Sequence, residues 1–67
     1  MNIQKAKILA ANLKGFACIG CTEAWLGEHD NLTDPIQDIK DCASFGLITV
    51  ELQEKLVNEV LEIKSRD

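Results

Sequence analysis

The residues with the widest chemical range in this 67-residue chain are three cysteines and one histidine. Cys18 and Cys21 form a C-x2-C pair inside FACIGCTEAW, residues 16–25, and His29 and Cys42 follow. Cys18, Cys21, His29 and Cys42 together could close a tetrahedral Cys3His zinc site, since three soft thiolates and an imidazole satisfy that ion. The spacing, seven residues between Cys21 and His29 and twelve between His29 and Cys42, matches no diagnostic zinc motif. The C-x2-C pair alone raises a redox dithiol, which needs a thiol pKa lowered by a helix N-terminus or a nearby cation. No strand–helix pattern surrounds the pair, so a thioredoxin-like context is missing. Free cysteine is among the most buried residue types. The favoured reading is therefore three packed thiols, with no metal and no cofactor. His29 sits in a polar loop with no nucleophile at a catalytic spacing, which reads as a solvated side chain.

Carboxylates form the second chemically suggestive set. Asp34, Asp38 and Asp41 fall on one side of one expected helix, and Glu51, Glu54 and Glu62 on one side of the next. Such rows could imitate phosphates and let a small acidic inhibitor occupy the basic nucleic-acid groove of a partner. The plainer reading is two solvated helix faces, some of whose acids also favour helix N-termini.

These side chains must be positioned by helices, because no strand-like alternation exists. Ile3, Ala6, Leu9, Ala10 and Leu13 recur at helical spacing, so NIQKAKILAANLK reads as an amphipathic helix ended by a left-handed Gly15 with Phe16 folded back. Residues 16–26 are ambiguous. As one helix, they would put Ala17, Gly20, Cys21 and Ala24 on a small-residue face that a second helix could approach; otherwise 16–21 is a turn and Thr22 caps a short helix. Residues 27–34 read as a polar loop. In DPIQ, Asp34 is the expected cap of a third helix, Pro35 its first residue and Gln37 the partner in a capping box. Ile36, Ile39, Cys42 and Ala43 make its buried stripe, and Gly46 stops it. Thr49 caps a fourth helix reaching about Lys64, and the short joint forces these two helices into a hairpin. Val50, Leu52, Leu56, Val57, Val60, Leu61 and Ile63 cover about half of the fourth helix, wider than the usual apolar stripe.

Composition excludes several classes. The net charge is −4, all of it arising in residues 34–67, so phosphates and anionic lipid heads are repelled and direct nucleic-acid or membrane binding is disfavoured. A helix-turn-helix reader needs Arg, Lys, Asn or Gln at the start of its second helix, and VELQE stands there instead. No secretory leader or membrane-length apolar run is visible, and an odd number of cysteines suits a reducing compartment, so a cytoplasmic location is expected. No activated nucleophile, phosphate loop or acid–base pair marks an enzyme.

The segment IQDIKDCASFGLITVELQEKLVNEVL, residues 36–61, resembles the short C-terminal (SHOCT) helical hairpin of bacterial proteins. Ile36, Ile39, Cys42, Gly46, Ile48, Thr49 and Glu51 match its pattern, while Leu52 stands where that family usually has an aromatic residue. The resemblance implies oligomerisation or docking, with no catalytic residues.

The sequence thus predicts a single all-α domain over 1–67, a bundle of three to four short helices with a C-terminal hairpin. A domain this small gains from a partner or from self-association. The expected function is a non-enzymatic protein–protein interaction module of bacterial or phage type, docking on a partner or forming a homodimer. Its contacts would come from Val50, Leu56, Val57, Val60 and Leu61, with Trp25 as an aromatic anchor. The alternatives are the acidic inhibitor and the zinc-stapled module.

Overall fold

A computed structural model describes residues 2–16, 18–27 and 33–66, with side chains at all of these except 33 and 34. The fold is all-α. Its described helices are α1 (Ile3–Lys14), α2 (Ile19–Leu26), α3 (Thr33–Ser44) and α4 (Val50–Ser65). His29, Ala17 and the side chain of Asp34 lie outside the described residues.

The first helix begins where a side chain can replace a missing backbone partner. The Asn2 side-chain oxygen accepts from the Lys5 N–H at 2.9 Å. At the far end Gly15 stays right-handed, at φ −85°, contrary to the left-handed stop expected from sequence. Its N–H and that of Phe16 instead donate to the last-turn carbonyls of Asn12 and Leu13, tightening the helix end without a reversal. Ala6, Ala10 and Leu13 are buried as their spacing predicts, but Ile3, at the helix start, is 48% exposed.

The α3–α4 hairpin is set by local signals at Gly46 and Thr49. Gly46 has φ +76°, the region an L side chain rarely adopts. The Gly46 N–H donates to Ala43 O and the Leu47 N–H to Cys42 O, both at 3.0 Å, which is the paired bonding of a Schellman stop. Thr49 Oγ1 then accepts from the Leu52 N–H at 3.0 Å and starts α4 as expected. At the other end of α3 the expectation needs correcting. The helix already includes Thr33, so Asp34 lies inside it rather than capping it. The capping-box contact expected between Gln37 and Asp34 lies outside the described residues; Gln37 Nε2 donates to Asp41 Oδ1, one turn on, at 3.0 Å.

Packing follows from two contacts made by α4, which lies against both α3 and α2, while α1 lies on α3. Leu13, Ile39, Leu56 and Val60 fill the centre with no exposure, joined by Pro35, Cys42 and Thr22. Close helix approach is made by alanines of α1 and not by the small residues of α2. Cys42 Sγ of α3 reaches the Ala6 carbonyl at 3.5 Å across the α1–α3 seam. Gly20 and Ala24, by contrast, are exposed. No described helix is long and apolar enough to cross a membrane.

Candidate functional site

The three cysteines separate into two environments. Cys42 is fully buried and packs as the apolar stripe of α3 predicts. Burial pushes its thiol pKa up, and the carboxylates of Asp38 and Asp41 add to the rise. Cys18 is exposed and Cys21 half-buried, which overturns the reading of this pair as core. The reason lies in α2, whose buried positions are Thr22 and Leu26. That orientation leaves Cys18 and Gly20 exposed and Ile19 and Cys21 half-buried. Cys18 occupies the N-cap in extended conformation, at φ −153° and ψ 169°, and Cys21 is the third residue of the helix. Their sulfurs stand 3.8 Å apart.

Among the described residues, the three cysteines of the Cys3His set do not converge. Cys42 points its sulfur at Ala6 in the core, and among the described residues no group of three or more His, Cys, Asp or Glu side chains could hold a metal. His29 falls outside the described residues.

Thr22, which sequence reasoning left as a polar exception or a cap, is a buried anchor. It has no exposure, and its hydroxyl donates to Glu59 Oε1 of α4 at 2.9 Å. Arg66 adds a second tie between these helices, with Nη1 3.0 Å from Glu23 Oε2, and its Nη2 lies 3.7 Å from Glu62 Oε1. The signal available for Thr22 was its solitary polarity inside an otherwise apolar segment. A buried hydroxyl there requires an acceptor, but only the tertiary fold names Glu59.

The expected contact set on α4 divides. Leu56 and Val60 are fully buried and belong to the core, a correction forced by their position between α2 and α3. Val50 is 65% and Leu61 47% exposed, with Val57 half-buried. Steps of seven and four residues bring Val50, Val57 and Leu61 onto one line along the helix. Glu54 lies on the same line, and the exposed Glu51 and Glu62 lie beyond it, away from the core. Val50 and Glu59 are nine residues apart, two and a half turns, so this line faces away from the side on which Thr22 docks.

Trp25 does not join that line. It is half-buried and its ring centroid lies 6.0 Å from that of Phe16, tilted at 54°. The two rings, with Asn12, Cys21 and Ala24, line an open groove of about 290 Å3 between the end of α1 and α2. The acidic rows also differ. Asp38 and Asp41 on α3 are half-buried, and Asp41 accepts from Gln37, whereas Glu51, Glu54 and Glu62 on α4 are exposed.

No protein-family model, no curated protein and no solved structure matches this chain.

Proposed function

We propose that this chain is a small acidic, non-enzymatic interaction module that docks a basic protein segment along the outer line of α4. The observation carrying this reading is the exposure of Val50 and Leu61 beside half-buried Val57 on a helix whose other apolar residues are buried or half-buried against the core. Apolar side chains aligned over three turns suit an amphipathic partner lying along the helix. The rim selects its charge. Glu51, Glu54 and Glu62 border the line, and the chain carries −4 overall. A second copy would bring the same carboxylates into apposition, whereas Lys or Arg flanking apolar side chains would neutralise them. The partner is therefore a basic amphipathic segment, and association is faster at low salt.

The test uses a fluorescein-labelled helical peptide of leucines flanked by lysines. Its anisotropy is titrated with the full chain, with Leu61→Asp and with Val50→Asp. Binding to the wild type, weakened about tenfold or more by either substitution (about 1.4 kcal/mol) while circular dichroism stays unchanged, supports the reading. Equal binding by all three proteins refutes it. Sedimentation showing a wild-type dimer that Leu61→Asp dissolves would replace the basic partner with a second copy.

A further inference from the structure

Among the described residues, the Cys18–Cys21 pair is a chemically competent cluster that the docking line leaves unused. Its geometry differs from that of inert thiols in three respects. The two sulfurs are 3.8 Å apart, and the first of them is exposed. The first sulfur also sits at a helix N-cap, where backbone N–H groups lack helical partners. The second residue, Cys21, lines the open groove of about 290 Å3 whose other walls are Phe16, Trp25, Asn12 and Ala24.

We propose that Cys18 and Cys21 are a reversible dithiol–disulfide couple, with Cys18 the attacking sulfur and Cys21 the resolving one. The co-reactant is a disulfide, R–S–S–R. The Cys18 thiolate attacks one of its sulfurs, forming a Cys18–S–S–R bond and expelling one R–S⁻. The Cys21 thiolate then attacks Cys18 Sγ, forming the Cys18–Cys21 bond and expelling the second R–S⁻. The two protons lost by the cysteines end on the two leaving thiolates as R–SH. The pair loses two electrons and the external disulfide gains them. A formed S–S bond is about 2.05 Å, so the sulfurs need only close from neighbouring contact to bonding distance.

The local electrostatics favour this order of attack. The Cys18 thiol is held below its ordinary pKa by the Cys21 backbone N–H, then by the Cys21 thiol and the Gly20 N–H; partial desolvation and the Glu59 carboxylate oppose this. A neutral thiol is a weak acceptor and makes no cap hydrogen bond at this helix start. The same N–H groups hold a thiolate better, which is the physical source of the bias. Cys42 takes no part, being enclosed in the core with its pKa pushed the other way. The R group of the mixed disulfide has the Phe16–Trp25 groove beside it, and Trp25, the sole tryptophan, reports on events there.

The experiment equilibrates the full chain with mixtures of reduced and oxidised glutathione, quenches with acid, and maps the cysteines by peptide mass spectrometry. Trp25 fluorescence is recorded in parallel. The proposal expects an intramolecular Cys18–Cys21 disulfide, lost again as reduced glutathione increases, and a fluorescence change with the same midpoint. Cys21→Ser should stop at glutathione on Cys18. Cys18→Ser should react at least about tenfold more slowly, since its remaining sulfur lacks the N-cap position. Three results would overturn the proposal: persistent glutathione on Cys18 of the wild type, a disulfide joining two chains, or a wild type that remains reduced throughout. A parallel sample supplied with zinc separates the remaining use of such a pair. Retention of the metal against glutathione oxidation, with protection of both cysteines, would make them ligands and refute the couple.

Discussion

Replacing Thr22 with valine removes one hydroxyl and leaves the shape of the side chain nearly unchanged. Thr22 has no exposure, so packing around it should survive, and the energetic change is confined to the bond with Glu59 Oε1 at 2.9 Å. A hydrogen bond to a charged acceptor contributes about 1.5–3 kcal/mol. Glu59 is half-exposed, so water can partly replace the lost donor, and the expected cost falls to about 1–2 kcal/mol. For a domain of this size that is a fall in Tm of roughly 5–12 °C. Thr22→Ala also empties the space of a buried methyl and should lose about 1 kcal/mol more. Urea unfolding followed by circular dichroism measures both variants. In a double-mutant cycle Glu59→Gln should couple to Thr22→Val by about 1 kcal/mol. A Thr22→Val protein within about 0.3 kcal/mol of wild type, or additive cycle energies, would refute the claim that this bond holds α2 on α4.

Other parts of the fold give further expectations. Gly46→Ala meets no atom within 4 Å, so its cost should be backbone strain alone, about 1–2 kcal/mol in urea unfolding with unchanged helix content. Leu56→Ala should cost about 2–5 kcal/mol and Leu61→Ala within about 0.5 kcal/mol, because only the first side chain is in the core. Cys42 supplies a pH dependence. Its folded pKa is raised above the ordinary 9.0 by burial and by Asp38 and Asp41, so its contribution is present below that value and is lost as pH rises through the folded pKa. Unfolding midpoints measured between neutral and alkaline pH should therefore fall more steeply for the wild type than for Cys42→Ala.

The hairpin was legible in the sequence because its determinants are local. Gly46, Thr49 and the apolar spacing of α3 act within a few residues of one another, and each takes the role its chemistry dictates. The register of α2 was not legible. IGCTEAWL is short and apolar on most sides, so its periodicity cannot select the buried face; Glu59, thirty-seven residues from Thr22, selects it. This long-range choice exposes Cys18 and sets Trp25 beside Phe16. For the same reason the wide apolar arc of α4 could be counted but not divided. The division into buried Leu56 and Val60 and exposed Val50 and Leu61 depends on where α2 and α3 lie. Gly15 shows the opposite limit, a glycine whose freedom the helix end does not use.

The docking line is tested most directly by NMR. The uniformly 15N-labelled chain is titrated with the leucine–lysine peptide, and amide shifts are followed at low and high salt. The account predicts that the largest shifts fall on Val50, Glu54, Val57 and Leu61, shrink as salt rises, and vanish in Leu61→Asp. Shifts confined to Asp38 and Asp41 on α3, or an unmoved spectrum at saturating peptide, would contradict it.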